Sequence, residues 1–422
     1  MSSPDPLKHN QALNPLGRQR RALLGAAAAF SLFSCSSKQQ AQWVLGRSQH
    51  NSWLLRVYIQ GVYPKLTLQL DKQQLAPISQ HDLSGWQSAL FVLPATLAGQ
   101  TLAIHLLAAD SPLGEPLTLP LPVTAPSSEH TLYLGSCLQK LSWLGREPIL
   151  SSIIADARQQ PNPAMVWLGD HLYLNENDLS NAGAICSAYQ RHRQHATLQQ
   201  LLTAMPHYAL WDDHDFGLND ADSRAPSAAL AQQVFPLMWA NPPSEKSYFA
   251  LKLGNTRLIF TDNRSARRTQ NVPAYQRQIF GTEQLRWMAQ QAQARDVGHT
   301  LLIGGSQWWV GARGEEGWPH ASQEQYAWQE LLTPAPPSRL LYISGDRHHS
   351  AEFTRQIGSQ IVHELTTSAL TSAPEPAQTG YTKVQLRQFF SENNYLRIKI
   401  SANALNWQWF GANGQPLGPV AR

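Results

Sequence analysis

The sequence predicts a layered α/β fold preceded by a small β-sandwich, and three observations lead to this prediction. Residues 41–124 contain short strands of alternating apolar and polar residues, separated by turn-forming Gly and Pro. From Glu129 onward, strand-like apolar runs alternate with helical stretches, a pattern typical of layered α/β proteins. Four of these apolar runs end in short polar clusters, and ligands bind at strand ends in α/β sheets.

The N-terminal segment 1–34 has the pattern of a signal peptide. A basic stretch precedes the 12-residue apolar run 22–33, which is shorter than the ~20 residues of a membrane-spanning helix. Arg20-Arg21 resembles a twin-arginine signal, and Cys35 with the small polar residues after it resembles a bacterial lipoprotein site. We therefore expect an exported protein, periplasmic or at the outer membrane, with a lipid anchor on Cys35. An ordinary signal peptide with a passive Cys35 is the alternative.

The charge of the chain argues against a nucleic-acid partner. The 422 residues carry a net charge of +4, and segment 1–34 contributes four basic side chains and one acidic one. The remaining chain therefore has a net charge of +1, with no basic stripe of the kind that binds nucleic acid. A chain of this length is expected to form more than one domain. Its oligomeric state has no signature in the sequence.

Segment 41–125 is predicted to be a separate β-sandwich domain. Helical periodicity is weak here, and turn residues such as Gly61, Pro94 and Gly99 recur at short intervals. Regularly spaced short strands of this kind are typical of small sandwiches. The predicted strands are 53–60, 66–70, 85–92, 101–108 and 117–123.

Segment 129–403 is predicted to form the α/β domain that carries the site, and segment 404–422 a closing hairpin or tail. Several connections between strands are too short for a helix, which favours mixed sheets. The irregular segments 174–186, 216–228, 262–280 and 310–322 are expected to border a cleft. The predicted helices are 148–159, 186–202, 228–239, 281–295 and 323–332. The predicted strands are 131–134, 165–168, 208–211, 247–251, 256–261, 299–303, 340–343, 360–366 and 395–400.

The four polar clusters carry the candidate chemistry. Each stands directly after an apolar run, where a buried charge is costly unless a cation offsets it. A carboxylate with two oxygens can bind two metal ions at once, so we interpret the clusters as parts of one two-metal site. The clusters are Gly135-Ser136-Cys137, Gly169-Asp170-His171-Leu172-Tyr173, Trp211-Asp212-Asp213-His214-Asp215 and Gly345-Asp346-Arg347-His348-His349.

The first two clusters supply a thiol, a carboxylate and a phenol. Asp170 and Tyr173 are three residues apart and can face the same way in a tight turn. A phenolate is a good ligand for ferric iron, so these two with Cys137 and an imidazole would form an iron-like position. The alternatives are a turn-capping role for Asp170, a packed aromatic role for Tyr173, and a disulfide between Cys137 and Cys186. We favour Cys137 as a ligand and Cys186 as a small buried residue.

The last two clusters supply a second position. Asp213 is a candidate ligand, and His214 beside it can donate a proton to a departing alkoxide as a general acid. Asn219, in the polar loop that follows, is a candidate additional ligand. Asp346 and His348 are two residues apart, so in an extended segment both point the same way and each can reach an ion. A solvated turn is the alternative for residues 211–215.

These motifs, in this order, resemble the alkaline phosphatase D (PhoD-like) family of the calcineurin-type metallophosphoesterases. The resemblance rests on Gly-Ser-Cys, Gly-Asp-x-x-Tyr, Asp-Asp-His-Asp and Gly-Asp-x-His, and it spans about residues 130–400. Residues 261–265 and 362–368 give two further matches. The resemblance implies a four-layer αββα metallophosphoesterase core as the catalytic domain, with the upstream β-domain also typical of the family.

The resemblance also implies a ligand set. Calcium would be the second metal, held by Asp213 and Asp346, and Asp170 would bridge the two ions. Ligand type alone also admits manganese, magnesium or zinc. The implied ligands of ferric iron are Cys137, Asp170, Tyr173 and His348.

Two catalytic roles follow from the same resemblance. His214 matches a histidine that steadies a phosphoryl oxygen or protonates the leaving group, and Arg264 matches an arginine that contacts phosphate. A structural salt bridge is the alternative for Arg264. Residues 303–309 lack the metal-binding histidine that many calcineurin-type enzymes place there, which leaves the ligand count of the second position open.

The expected function is metal-dependent hydrolysis of phosphate monoesters or diesters, with a metal-bound hydroxide as the attacking group and His214 assisting the leaving group. Two alternatives stay open. One is a phospholipase D-like phosphodiesterase acting on phospholipids, because the chain is expected at a membrane. The other is a non-catalytic surface lipoprotein whose metal site is structural.

Overall fold

The computed structural model describes residues 41–48, 52–123, 129–142, 145–310, 316–357, 360–376 and 384–421. The predicted signal segment 1–34 and the candidate lipidation site Cys35 lie outside the described residues. All described residues belong to one compact unit. None of the helices within these ranges is long and apolar enough to cross a membrane.

The first 80 or so described residues form a β-sandwich of two antiparallel sheets. One sheet has the strand order β1-β2-β6-β5, and the other has the order β4-β3-β7-β8 with β9 also paired to β7. Leucines, tryptophans and Phe91 from the facing sides of the strands fill the space between the sheets. The strands are β1 (Gln42–Arg47), β2 (Trp53–Gln60), β3 (Leu66–Leu70), β4 (Gln73–Leu75), β5 (Ser79–Leu83), β6 (Trp86–Leu93), β7 (Thr101–Ala108), β8 (Ser111–Pro112) and β9 (Leu117–Pro120).

The first core sheet has six strands in the order β12-β11-β10-β20-β21-β22. Strands β10, β11 and β12 are parallel to one another, and β20, β21 and β22 continue the sheet in antiparallel fashion. The three parallel strands therefore end at the same edge of the sheet. The strands are β10 (His130–Gly135), β11 (Pro163–Leu168), β12 (His207–Leu210), β20 (Asn394–Ile400), β21 (Leu405–Gly411) and β22 (Pro416–Ala421).

The second core sheet has seven strands in the order β13-β14-β15-β16-β18-β17-β19. Strands β14, β15, β16 and β18 are parallel, with antiparallel strands at both margins. The strands are β13 (Phe249–Leu253), β14 (Thr256–Phe260), β15 (His299–Ile303), β16 (Arg339–Ser344), β17 (Ser350–Ile357), β18 (Gln360–Thr366) and β19 (Gln385–Phe390).

Alternation along the strands builds the layers. In β10, Leu132 and Leu134 point between the two core sheets, while Tyr133 points to the opposite face. Likewise in β16, Leu341 and Ile343 pack between the sheets, and Tyr342 faces outward. Each core sheet is therefore apolar on both faces, as a sheet covered by a second sheet and by helices must be.

Helices cover the outer face of each core sheet and complete a four-layer αββα core, as expected. Apolar residues of α1, α2, α3 and α5 pack on the first sheet, and those of α6 and α7 pack on the second. The helices are α1 (Pro148–Ala157), α2 (Ala182–Arg193), α3 (Ala196–Ala204), α4 (Asp213–Phe216), α5 (Ala228–Met238), α6 (Gly281–Ala292) and α7 (Ser322–Leu331). Short 3₁₀ turns lie at Ala95–Leu97, Asp178–Ser180, Ala274–Gln276 and Trp318–Ala321.

The structure departs from the predicted elements in a few places. The predicted helix 186–202 is two helices, α2 and α3, because His195 adopts an extended backbone conformation between them. Strands β1, β4, β5, β8, β17 and β19 were not predicted. The segments 174–186 and 216–228 are largely irregular, although α2 already begins at Ala182. The domain boundaries at residues 125, 129 and 403 stay predictions.

Candidate metal centre

The predicted site residues come from both core sheets and meet at one edge. Cys137 follows β10, Asp170 and Tyr173 follow β11, and Asp213 and His214 open the short helix α4 after β12. Asp346 and His348 follow β16 of the second sheet, and residues 367–372 follow β18 beside it. Because these strands end at the same side of their sheets, side chains far apart in sequence lie within contact distance.

Cys137 is the fully buried thiol of the cluster. Its Sγ is 3.6 Å from Asp170 Oδ2 and 3.7 Å from the backbone oxygen of Asp346, and it accepts a hydrogen bond from Ser368 Oγ at 3.0 Å. Burial raises the pKa of the Cys137 thiol to about 12, against the opposing effect of its hydrogen bonds with Ser368 and Ser136. Cys137 and Cys186 are both buried and free, so they form no disulfide, and Cys186 lies in the core as expected.

Tyr173 connects the thiol side of the cluster to two imidazoles. Its hydroxyl oxygen is 3.4 Å from His348 Nε2 and 3.1 Å from Ser372 Oγ. Its ring lies against the His214 ring, with centroids 4.2 Å apart. Burial raises the pKa of the Tyr173 phenol, and the neighbouring Cys137 and Asp170 add to this effect. A cation would be needed to hold this phenol ionised at neutral pH.

Two groups of ligand atoms are close enough to hold a cation each. Side-chain atoms of Asp170, Asp213 and His214 lie within 4.8 Å of one another, and so do those of Asp212, Asp213 and Asp346. Asp213 belongs to both groups. The structure therefore offers two adjacent candidate metal positions that share a carboxylate.

The carboxylates are held in proximity at an electrostatic cost. Burial, followed by the negative charge of Asp213, raises the pKa of Asp170 well above its usual range. Burial also raises the pKa of Asp346, to about 7. Burial acts to raise the pKa of Asp213 too, but Arg264, His214 and the Asp220 N–H hold it below its usual value. Such a set of carboxylates is stabilised when a cation neutralises it.

Four buried carboxylate oxygens have no hydrogen-bond partner among the described residues: Glu316 Oε1, and three in the group of Asp212, Asp213 and Asp346. These three are Asp212 Oδ2, Asp213 Oδ1 and Asp346 Oδ2. The nearest cationic nitrogens are beyond hydrogen-bond length, at 3.8 Å from Arg264 to Asp213 and 3.7 Å from Arg347 to Asp346. Unpartnered buried acceptors are costly, and a bound cation would satisfy all three. The residues present thus fit a metal ion.

The two positions differ in donor chemistry. The first group, Asp170, Asp213 and His214, does not include Cys137 or His348, but both lie near it: the Cys137 thiol is 3.6 Å from Asp170, and the His348 imidazole is 3.4 Å from the Tyr173 phenol, whose ring packs on His214. Together these donors make a mixed sulfur, nitrogen and oxygen set that suits a transition metal. The group of Asp212, Asp213 and Asp346 offers oxygen alone, which suits a hard cation such as calcium, magnesium or manganese. The residues therefore favour two different ions.

Arg264 is completely buried behind the oxygen-only group. It pairs with Asp212 through a short hydrogen bond, with Glu316 at 2.7 Å, and donates to the backbone oxygen of Ala221 at 3.1 Å. The negative charges of Asp212 and Glu316 raise the pKa of Arg264 against the opposing effect of burial. This geometry matches the salt bridge considered as an alternative for Arg264, and contact with phosphate stays a prediction.

Several residues at the site have a left-handed backbone, which non-glycine residues seldom adopt. The φ angles are +58° at Cys137, +52° at Asp170, +70° at Asp346 and +51° at His348. Strained conformations of this kind cluster at functional sites, where the surrounding structure enforces them. Their presence at four of the predicted ligands is an independent indication that these turns serve a site.

Asp215 holds the turns after β11 and β12 together. Its carboxylate accepts hydrogen bonds from the backbone N–H groups of Asp170 (2.7 Å), Leu172 (3.1 Å) and Asp212 (3.0 Å). It also lies 2.9 Å from Nδ1 of His171. Asp215 thereby fixes the positions of Asp170 and Asp212 without facing the candidate metals itself.

Gly169, after β11, and Gly305, after β15, leave the space that Asp212 occupies between the two sheets. A Cβ on Gly305 would lie 2.7 Å from both Cγ and Oδ2 of Asp212, and a Cβ on Gly169, whose φ is +92°, would lie 2.7 Å from the Asp212 backbone nitrogen. Segment 303–309 carries no histidine. Its backbone at Gly305 instead lies directly against the Asp212 side chain, which only a glycine allows.

Asn219 is a predicted ligand that no described contact connects to the cluster. It is exposed in the turn after α4, and none of the described hydrogen bonds connects its side chain to the carboxylates. Its neighbour Asp220 donates its backbone N–H to Asp213 Oδ2 at 2.7 Å. A ligand role for Asn219 stays a prediction.

Sequence reasoning missed four residues that the structure brings to the site. Asp212 stood inside a recognised cluster but was not selected, whereas Ser368, Ser372 and Glu316 carry no motif of their own. Ser368 also accepts the backbone N–H of His348 at 3.1 Å. The match noted at residues 362–368 was the one signal that pointed to Ser368.

No protein-family model matches the chain, and no curated protein sequence matches it. Among solved structures, the chain is similar to PhoD, with a TM-score of 0.64 and 15% sequence identity, over 90% of this chain and 88% of that one. It also aligns with GAP50, the anchor in the inner membrane complex of Plasmodium, at a TM-score of 0.46 and 12% identity over 70% of this chain and 88% of that one. Of these two likenesses, the first identifies the fold. The chain has a PhoD-like fold: a four-layer αββα core with an N-terminal β-rich part.

Proposed function

We propose that this chain is a metal-dependent hydrolase of phosphate esters. The observation that carries the proposal is the convergence of a thiol, a phenol, two imidazoles and four aspartates at one edge of both sheets. Three of these aspartates each have one buried oxygen without a hydrogen-bond partner among the described residues. The PhoD-like fold supports this reaction class. The groups present suit two cations and a proton donor, which are the parts that phosphoryl transfer to water requires.

The proposed metals are ferric iron beside Cys137, Asp170, Tyr173 and His348, and calcium beside Asp213 and Asp346, with Asp212 as a further oxygen donor. Such ions, when bound, would activate water and neutralise charge on the phosphoryl oxygens. The mixed donor set supports the first assignment and the oxygen-only set supports the second. Manganese, magnesium or zinc would fit parts of the same set.

His214 is the proposed proton donor. It is half-buried, and its backbone N–H donates to Asp170 Oδ1 at 3.3 Å, so the residue is fixed at the margin of the carboxylate cluster. The Tyr173 ring lies against the imidazole and limits its rotation. An imidazole held there can deliver a proton to the leaving alkoxide, which lowers the barrier for its departure.

The test combines elemental analysis with an ester screen. The full chain is purified after export, its iron and calcium content is measured, and hydrolysis of p-nitrophenyl phosphate and bis(p-nitrophenyl) phosphate is followed with and without a chelator. We expect bound metal, hydrolysis of at least one ester, and loss of activity on chelation. Asp213→Asn should lose both metal and activity, whereas the exposed control Asp296→Asn should keep both.

Other outcomes point to the alternatives. Hydrolysis confined to phospholipid vesicles would favour the lipid-directed phosphodiesterase. Stoichiometric metal with no turnover on any ester would contradict the proposal and favour a structural metal in a non-catalytic lipoprotein.

We also propose that the chain is exported and anchored through Cys35. The basic stretch, the short apolar run and the cysteine support this proposal. Mass spectrometry of the N-terminal peptide from membrane fractions should find a lipidated Cys35, and the variant Cys35→Ala should move the chain to the soluble exported fraction. An unmodified Cys35 within an uncleaved chain would contradict the proposal.

A further inference from the structure

An open groove borders the candidate metal centre on the side of Tyr173. Its volume is about 620 Å³. Its walls come from the loop after β10, the loop after β11 and the junction between α2 and α3. Its lining includes Leu141, Leu172, Tyr173, Gln194, His195 and Ala196.

Tyr173 belongs to both the groove and the metal centre. Its side chain lines the groove, while its hydroxyl lies 3.4 Å from His348 Nε2 and its ring lies against His214. Leu172, the preceding residue, also lines the groove. A group that leaves the phosphorus atom on the side of His214 would therefore stand at the opening of the groove.

The size of the groove exceeds what a phosphate needs. The phosphoryl group itself belongs with the carboxylates and imidazoles of the metal centre. A volume of 620 Å³ lies within the range of about 300–1,000 Å³ found for sites that bind small organic molecules. The groove therefore has room for the organic part of an ester.

The charges in the lining cancel. Arg191 and Asp178 form an ion pair at 2.5 Å, so neither offers a net charge to a ligand. Burial lowers the pKa of His192 to about 3, so this imidazole is neutral. A groove without net charge favours an uncharged group over a second anion.

Polar and apolar contacts stand side by side in the groove. Leu141 is half-buried and offers apolar surface, whereas Leu172 is almost completely buried. The amide of Gln194 is exposed and makes no hydrogen bond among the described residues, so it can bind a ligand hydroxyl. His195 is anchored to the backbone oxygen of Ser142 at 3.1 Å, which fixes its ring as part of the wall. Such a mixture suits a compact group with several hydroxyls.

We propose that this groove binds the alcohol part of the phosphate ester, an uncharged polyol of the size of glycerol or a monosaccharide. The inference rests on the proposed function, because it takes the reacting phosphorus to be at the metal centre. It makes the groove a determinant of substrate choice, separate from the residues that carry the reaction.

The first test measures binding alone. The dissociation constants of methylphosphonate and of a dihydroxypropyl phosphonate are measured by titration calorimetry for the metal-loaded full chain. Ala196→Trp fills the groove, and Gln194→Ala removes the free amide. We expect both variants to raise the dissociation constant of the dihydroxypropyl phosphonate about tenfold, since a lost hydrogen bond or an excluded group costs binding free energy of this order. The dissociation constant of methylphosphonate should stay unchanged.

The second test measures hydrolysis of the methyl and glycerol esters of phosphate, each as monoester and diester. Ala196→Trp should lower kcat/KM for the glycerol ester about tenfold relative to the methyl ester. The control Ala155→Trp places the same side chain on the exposed face of α1 and should leave the ratio unchanged. Equal effects on both esters, or none with either groove variant, would overturn the inference. If the wild type hydrolysed neither ester, the proposed function would fail, and the ratio of phosphonate affinities would still decide the role of the groove.

Discussion

His214 contacts the carboxylate cluster without being enclosed by it. Replacement by Ala should lower kcat by about 10²- to 10⁴-fold, the usual contribution of a general acid, and leave the metal content intact. The measurement pairs steady-state kinetics with elemental analysis of the same preparation. His81→Ala, an exposed histidine on β5, is the matched control. Equal loss of metal and turnover in His214→Ala would assign His214 to metal binding instead.

Glu364 gives a pH dependence of stability that is separate from the site chemistry. It is buried and accepts hydrogen bonds from the backbone N–H groups of Trp308 (2.9 Å) and Trp309 (2.8 Å) and from Ser344 Oγ (3.1 Å). Burial raises the pKa of Glu364 from 4.5 to about 7, against these hydrogen bonds. The folded state therefore holds a proton that the unfolded chain has released between pH 4.5 and 7.

The sign of this effect is a loss of stability as the pH rises through that window. The free energy of unfolding should fall by about 3 kcal/mol from pH 4.5 to 7 through Glu364, and change little through this group above pH 7. Urea unfolding of the metal-free wild type and of Glu364→Gln at both pH values measures it. The free energy of unfolding of the wild type, relative to that of Glu364→Gln, should fall as the pH rises from 4.5 to 7. A difference between the two proteins that is the same at both pH values would contradict the assignment.

At the level of residues, sequence reasoning located the site but not its full composition. Cys137, Asp170 and Tyr173 were found because polar residues directly after apolar runs are costly in a core without a purpose. Ser368 and Glu316 were missed because single polar residues in loops have no local pattern. Their roles depend on which loops the two sheets bring together, which is a property of the tertiary fold.

Asp215 makes the turns after β11 and β12 one unit. Asp215→Ala would leave three buried backbone N–H groups without their acceptor, each at a cost of about 1–3 kcal/mol. We expect a loss of more than about 3 kcal/mol in the free energy of unfolding, measured with denaturant. Asp296→Ala removes an exposed carboxylate paired with Lys252 and Arg257, and should cost within about 1 kcal/mol. Similar losses in the two variants would contradict the role given to Asp215.

Three of the strands that escaped prediction, β5, β17 and β19, share a physical cause. Strand β5 (Ser79–Leu83) is largely polar, and β17 (Ser350–Ile357) and β19 (Gln385–Phe390) mix charged and apolar residues. Their pairing is decided by neighbouring strands, and an apolar pattern is the main sequence signal of a strand. The helix break at His195 has no Gly or Pro to mark it. By contrast, the buried parallel strands were predicted to within a few residues, because they are continuous apolar runs.

For the whole molecule, metal and stability should be coupled. A cation that neutralises the crowded carboxylates binds the folded state alone, and at 100 times its Kd it would add about 2.7 kcal/mol. The Tm of the metal-free chain should therefore rise on addition of Ca²⁺. Asp346→Asn relieves repulsion, so we expect a higher Tm than the wild type in chelator and a smaller rise with Ca²⁺. Scanning calorimetry in both conditions measures this, and parallel curves for the two proteins would contradict a metal site at Asp346.

The β-sandwich and the α/β core should unfold together. Leu54, Tyr58 and Trp86 of the sandwich share one apolar cluster with helices α2 and α5 of the core. Arg56 of β2 also donates to the backbone oxygen of Trp239, just after α5, at 3.0 Å. We expect a single calorimetric transition for the full chain and a lower Tm for the fragment 129–422, because the fragment exposes this surface. Two well-separated transitions would contradict this coupling and favour the predicted domain boundaries as independent folding units.

The candidate ligands extend from two different sheets, Cys137 and Asp170 from the first and Asp346 and His348 from the second. The thickness of the apolar layer between the sheets therefore sets the spacing of the two halves of the coordination sphere. A residue such as Leu132, fully buried in that layer and distant from any ligand in its own strand, would act as a spacer. Shortening it to Ala would let the sheets settle closer and change cation affinity from a position that no ion touches.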